Sequence, residues 1–317
     1  MTFAHFRRYF TGRLPYMSKK LIHWTIFIVL CIIWGSSFKL MHDSQKGLTA
    51  SQIAGLRIFA AGLVFLPFAI FNIRKIPRSK IGLVILSAVF GNLLPAYLFA
   101  IALMHLDPPV AGILNSLTPI CVVIVGIGFF KDKISQQKIN GVLVGFIGLV
   151  LLTLLPPLMK GENIFSGNMS YSLLIVLATL LYGINVNLVG HYMKGLNAVH
   201  VATVSLSFML IPTSIALWQQ GFLEVNFHDV IVQNAILESA GLGIAGTAIA
   251  TALFYILVKQ AGGLFASLVT YGVPFIALLW GIYDHNKITW VQPVCLCIIL
   301  LGVYMANRPE KQKENAV

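Results

Sequence analysis

The sequence predicts an all-α integral membrane protein of ten transmembrane helices, arranged as two inverted five-helix repeats. Three observations carry this. First, the 317 residues are 58% hydrophobic and only 10% charged, with a mean hydropathy of +0.86. Soluble domains carry about 25% charged residues, so a chain this apolar needs a bilayer around it. Disordered chains, secreted disulfide scaffolds and ordinary soluble enzymes are excluded. Second, the apolar residues fall into ten runs of helical length. Third, Lys and Arg gather on alternate connections.

A hydrocarbon core about 30 Å thick takes roughly 20 residues of helix. Charges, Pro, Gly and polar clusters cut the chain at 22–41, 52–71, 80–103, 109–130, 138–157, 170–190, 198–219, 236–258, 263–283 and 288–307. None is a strand of about ten residues with alternating polarity, which excludes a barrel.

The first segment carries Trp34, Ser36 and Ser37, with Lys39 placed to snorkel at its far end. No small-residue cleavage site follows it, so it is not a removable signal peptide. Residues 1–21 form a basic cytoplasmic segment, within which Met17-Ser18-Lys19-Lys20 is the expected start of translation. The second segment holds Arg57, the third Asn92 and Pro95, the fourth Asn115 and Pro119. Gly141, Gly145 and Gly148 line the fifth as a small-residue ridge that lets helices approach closely. Tyr182 and Asn185 lie in the sixth, Pro212 in the seventh, Glu238 and Thr247 in the eighth, and Tyr271 and Pro274 in the ninth. Each proline removes a backbone donor and is expected to interrupt its helix. The tenth carries Cys295 and Cys297, which diverge by about 200° on a helix. Cys31 and Cys121 sit in other apolar runs, so neither a disulfide framework nor a zinc site is indicated.

The net charge of +12 is distributed by topology. Seventeen of the 22 basic residues fall on the N-terminal segment, on the even-numbered connections and on the C-terminal tail, 307–317. The opposite side has only Lys46, Lys160 and Lys287, while Lys39 and Arg57 lie within spans. By the positive-inside rule both termini are cytoplasmic and the protein is multi-pass in the cytoplasmic membrane. The basic excess is therefore a topology signal and not a nucleic-acid surface.

An internal repeat appears at a shift of 155, pairing Gly91 with Gly246, Leu98 with Leu253, Phe99 with Phe254, Ala111 with Ala266 and Pro119 with Pro274. At 154, Gly148 pairs with Gly302; at 148, Trp34-Gly35 pairs with Tyr182-Gly183. The halves run over 22–155 and 170–306. Each holds five spans, so the second copy enters the membrane in the opposite sense, as in carriers that work by alternating access.

Trp34-Gly35-Ser36-Ser37-Phe38, Leu56-Arg57-Ile58-Phe59, Ala111 followed by Pro119, and Gly148-Leu149-Val150-Leu151-Leu152 resemble the EamA family of the drug/metabolite transporter superfamily. Gly246-Thr247-Ala248, Phe254-Tyr255, Ala266 to Pro274, and Gly302-Val303 repeat the pattern in the second half. The resemblance implies eight helices around a central substrate cavity, with the fifth and tenth at the periphery. It also implies a glutamate in turns after the fourth and ninth helices. Here those turns read Lys131-Asp132 and His285-Asn286, so the first keeps a carboxylate and the second loses it.

Arg57 is the sharpest functional signal, because a charged side chain inside a span usually faces a cavity or a partner. It either snorkels, pairs with Glu238 at similar depth, or lines the cavity. The neutral polar set of Ser36, Ser37, Asn92, Asn115, Tyr182, Asn185, Thr247 and Tyr271, with Trp34, is the candidate substrate site. Hydrogen bonding between helices is the alternative use of the same groups. A mostly neutral, amide-rich and aromatic lining suits an amphipathic metabolite such as an amino acid. No HExxH, paired acids, His/Cys cluster, P-loop or re-entrant filter is visible, which disfavours an intramembrane enzyme, ATP-driven transport and a channel. A secondary carrier is the reading, with a non-transporting receptor or channel as the alternative. No cofactor is expected. The expected partners are a small-molecule substrate and the lipid bilayer, with a homodimer left open and no nucleic acid.

Overall fold

A computed structural model describes residues 19–106, 108–161, 169–283 and 290–308. The expected start at Met17, the side chain of Lys39, the His285-Asn286 turn and the tail beyond 308 lie outside the described residues. Ten spans are helical. They are α1 (Lys19–Ser44), α2 (Ala50–Asn72), α3 (Arg78–Leu103), α4 (Pro108–Asn115 and Thr118–Phe130) and α5 (Gln136–Met159). The second five are α6 (Ser172–Tyr192), α7 (Ala198–Gln219), α8 (Val230–Ala261), α9 (Gly263–Ser267 and Val269–Tyr283) and α10 (Val291–Asn307). Among the described residues nine are long and apolar enough to cross a membrane; Val291–Asn307 is apolar but shorter.

Local chemistry sets the helix starts. Thr49 and Gln52 form a capping box at α2, each side chain meeting the other's backbone N–H at 3.2 and 3.0 Å. Asn197 caps α7 and Asp229 caps α8, each accepting a backbone N–H two residues on at 2.9 Å. The Asp229 cap corrects the expected start of the eighth span, which hydropathy alone puts at 236. Gln233 and Asn234 are exposed in the first turns of α8, where polarity hides the helix from a hydropathy cut.

Three of the four prolines act as expected. α3 carries a π-turn at Val89–Leu93 just before Pro95, α4 breaks at Ser116 and Leu117 before Pro119, and α7 is interrupted at Met209 before Pro212. Pro274 does not interrupt its helix: it lies inside the continuous Val269–Tyr283, and the α9 break falls six residues earlier, at Leu268. α8 contains a second π-turn, Leu242–Ile249, although no proline follows it.

Glycines record the relation between the halves. Added Cβ atoms would meet Ile299 N from Gly148 at 2.9 Å, Gly145 N from Gly302 at 2.3 Å, and Ala306 N from Gly141 at 2.3 Å. Partner numbers fall as numbers on α5 rise, so α5 and α10 run antiparallel. The repeat shift of 154 carries the Gly148–Ile299 contact onto Gly302–Gly145, so the crossing maps onto itself. Elsewhere Gly35 on α1 lies on Ile276 of α9, and Gly183 on α6 lies on Cys121 of α4. These two contacts are also repeat counterparts. The architecture is therefore two inverted five-helix repeats. α1 packs against α8 and α9, α6 packs against α3 and α4, and α2 lies between α7 and α8. Phe68, Phe71, Phe129, Ile211 and Trp218 face outward, an apolar surface for lipid.

Candidate functional site

The two π-turns occupy equivalent places in the repeat and carry the equivalent residues Asn92 and Thr247. A π-turn holds one residue more than an α-turn and recurs at functional sites, because it leaves a carbonyl outside the helical ladder. In α8 the Ala250 N–H reaches Ala245 O, five residues back, and passes over the Gly246 carbonyl. That carbonyl accepts the Trp34 indole N–H from α1 at 3.0 Å and an Arg57 Nη2–H from α2 at 3.4 Å. In α3 the Leu94 N–H likewise reaches Val89 O, and Pro95 has no N–H to return to Gly91.

Arg57 sits seven residues beyond Ala50, about 10 Å along α2 by the 1.5 Å helical rise. Its Nε–H donates to Thr247 Oγ1 at 2.6 Å. The expected pairing with Glu238 is not made: Glu238 accepts instead from Ser44 Oγ at 3.2 Å, two to three turns earlier on α8. Thr247 lies at the depth Arg57 can reach, and its hydroxyl is an uncharged substitute for a carboxylate.

Around this centre the aromatic contacts repeat. Trp34 packs on Phe254 with ring centroids 5.4 Å apart, and Tyr182 stacks on Phe99 at 6.4 Å. Trp34 corresponds to Tyr182 and Phe254 to Phe99, so the two pairs are repeat counterparts and each joins one ring from each half. Trp34, Arg57 and Tyr182 each remain partly accessible, and the polar ends of Trp34 and Arg57 engage α8. Ser37 Oγ donates to Ile33 O and borders Gly246, while Ser36 Oγ accepts from Trp280 Nε1 at 2.9 Å. Asn92 accepts from Thr251 Oγ1 at 3.3 Å, joining the repeats, and Asn115 is half-buried at the α4 break.

Three expected lining residues are placed otherwise. Tyr271 is fully buried, its ring lies on Gly145 and its hydroxyl donates to Val142 O at 3.0 Å, so it locks α9 to α5. The small-residue ridge makes room for it. Asn185 is buried over Gly91, with its amide N–H directed at Tyr255 Oη at 3.5 Å, so it closes α6 onto α3 and α8. Thr247 is buried behind Arg57 and orients it. Sequence reasoning missed the Gly246 carbonyl, Phe99 and Tyr255 as parts of the site, although Gly246, Phe99 and Tyr255 all stand in matched repeat or family-like positions.

At the end where α1 begins, Lys131 adopts the left-handed conformation (φ 55°) and ends α4. The turn delivers Asp132 to His191 of α6, Oδ1 to Nε2 at 2.9 Å, with Phe130 stacked on the imidazole. Beneath them the Asn187 amide donates to Val122 O and Gly183 O at 3.0 and 2.9 Å. All four cysteines are free, Cys295 buried and Cys297 exposed. Among the described residues no three His, Cys, Asp or Glu side chains converge to hold a metal ion.

The fold and its paired discontinuous helices define a multi-pass membrane transporter. The EamA-like transporter family model matches residues 22–154 and 169–308, and the chain belongs to that family. It is 22% identical over 300 residues to a WAT1-related chloroplastic protein of Arabidopsis thaliana, spanning 91% of this chain and 70% of that protein. It is 24% identical to the uncharacterized transporter YdfC of Bacillus subtilis, over 90% of this chain and 89% of that one. It is 23% identical to the uncharacterized inner membrane transporter YedA of Escherichia coli, over 87% and 90%. A solved crystal structure superposes with a TM-score of 0.68 over 91% of this chain and 96% of the other, at 16% identity, a likeness of fold.

Proposed function

We propose that the protein is a secondary carrier that moves a small organic metabolite, amino-acid-like or amphipathic, across the cytoplasmic membrane by alternating access, with export the favoured direction. The observation that carries this reading is the pair of π-turns in α3 and α8, at repeat-equivalent positions, together with two repeat-related aromatic pairs that each join one ring from each inverted half. An inverted repeat of this kind offers similar gates to the two sides of a membrane. The halves are 22–155 and 170–306, and the basic connections put both termini in the cytoplasm. Substrate contacts Trp34, Ser36, Ser37, Arg57, Asn92, Asn115 and Tyr182, while Thr247, Asn185 and Tyr271 support them. The site holds no carboxylate or histidine among its described residues, which supports facilitated diffusion or exchange over proton coupling.

Counterflow in proteoliposomes tests the reading. Purified protein is reconstituted with unlabelled amino acids, sugars or nucleosides inside and the labelled compound outside. A carrier gives saturable uptake that is accelerated by substrate on the far side; a channel or receptor does not. Substrate-dependent acidification under an imposed gradient refutes the uncoupled mechanism.

A further inference from the structure

We propose that Arg57 is a carboxylate receptor, so that the cargo is a small organic monoanion whose carboxylate docks on the open edge of the Arg57 guanidinium. The inference rests on the carrier reading above and gives its substrate class.

A guanidinium has five N–H donors in a planar fork and is always charged. On Arg57 the side edge is engaged: Nε–H reaches Thr247 Oγ1 at 2.6 Å and Nη2–H reaches Gly246 O at 3.4 Å. Both acceptors are neutral, and they fix the plane of the fork. The end edge, formed by Nη1 and the second Nη2 hydrogen, meets no acceptor among the described residues. Among the described residues no carboxylate meets the guanidinium, whose two partners are a hydroxyl and a carbonyl. Glu238, the acid nearest in depth on α8, is engaged with Ser44.

An unpaired charge inside a membrane span is costly unless something neutralises it. Here the protein supplies orientation without neutralisation, which is the arrangement expected where the ligand brings the negative charge. A carboxylate matches the free edge with two parallel N–H···O bonds. Charge balance narrows the class further. The caps Thr49 and Asn197 align α2 with α7 at the repeat shift of 148, which makes Ser205 the counterpart of Arg57. Ser205 is buried and donates to Ala202 O, so the second half contributes no cation here. One cation balances a carboxylate monoanion, whereas a phosphate ester dianion leaves a negative charge unmatched.

Matched acid and amide probes test this on the full-length protein in detergent micelles. Melting curves are recorded with butyrate and butyramide, phenylacetate and phenylacetamide, N-acetylleucine and its amide, and glycerol 3-phosphate. Hydrogen bonds to charged groups predict that at least one acid stabilises saturably and binds roughly 10- to 150-fold more tightly than its own amide. Arg57→Gln abolishes the shift, and Arg57→Lys, which keeps the charge but loses the fork, weakens it by about tenfold. The proposal is overturned if no acid of the set stabilises selectively, if an amide stabilises as well as its acid, if glycerol 3-phosphate alone stabilises, or if Arg57→Gln responds as the wild type does. If the variants fail to fold, the acid-to-amide ratio on the wild type decides alone. Counterflow of a neutral compound would remove the carboxylate assignment and leave the carrier standing; absence of counterflow for every probe removes the carrier.

Discussion

Replacing Gly302 by alanine is the most direct perturbation of the α5–α10 crossing. The added methyl would stand 2.3 Å from Gly145 N, 2.5 Å from Gly145 Cα and 2.7 Å from Gly141 O. All three are backbone atoms, so no rotamer change relieves the overlap. Reaching even the near edge of ordinary contact at 3.4 Å requires a separation of about 1.1 Å. A gap of about 1 Å forfeits up to half of the dispersion energy of the atoms it parts, and overpacking costs about 1–3 kcal/mol. The gain from replacing glycine inside a helix offsets about 0.5–1 kcal/mol of that. The net loss is on the order of 1–2 kcal/mol, a fall of roughly 2–4 °C in melting temperature for a chain of this size. Gly82 and Gly128 are helical glycines whose added Cβ meets nothing within 4 Å, so alanine there raises the melting temperature by about 1–2 °C. Gly148, with Ile299 N at 2.9 Å, falls between. The assay is fluorescence-detected size-exclusion chromatography of heated, detergent-solubilised protein. A Gly302→Ala variant that melts at or above the wild type, or a series in which Gly82→Ala loses more than Gly302→Ala, would refute the claim that backbone contact holds this crossing.

Thr247→Val leaves the Arg57 Nε–H without its acceptor, costing about 1–3 kcal/mol, and counterflow slows at unchanged expression. Trp34→Phe keeps the ring against Phe254 but drops the bond to Gly246 O, so initial transport rates fall by about threefold to tenfold while the melting temperature moves little. Tyr271→Phe does the reverse: it loses the bond to Val142 O, lowers stability by about 0.5–1.5 kcal/mol and leaves transport intact, and a transport defect without destabilisation would return Tyr271 to the substrate site. Asn187→Ala removes two buried hydrogen bonds and costs about 1–3 kcal/mol, whereas Asp132→Asn disrupts a pair that is about one-third exposed and costs under about 1 kcal/mol; comparing the two melting curves checks the order.

Class, helix number and inversion are legible in the sequence because they follow from hydropathy, odd repeat length and charge on the connections. The start of α8 is not, since Gln233 and Asn234 interrupt its first two turns and only the Asp229 cap marks where the helix begins. Arg57 is legible as a charge in a span, but its partner is not: depth points to Glu238, while packing assigns a hydroxyl and a carbonyl. Residue type alone cannot separate Tyr182 from Tyr271. Both are tyrosines at mid-depth in spans, yet one is partly accessible and the other is fully buried against Gly145. The π-turn in α3 has a proline behind it, whereas that in α8 has none and shows in the sequence only through its repeat partner.

The Gly246 carbonyl binds three helices through one atom. An extra residue in a helical turn is a movable dislocation: if it migrates and the turn at Gly246 reverts to α-geometry, Ala250 N–H reclaims the carbonyl. Trp34 and Arg57 then lose a common acceptor in a single step, so α1 and α2 loosen their hold on α8 together, without any side chain of α8 having to change its rotamer.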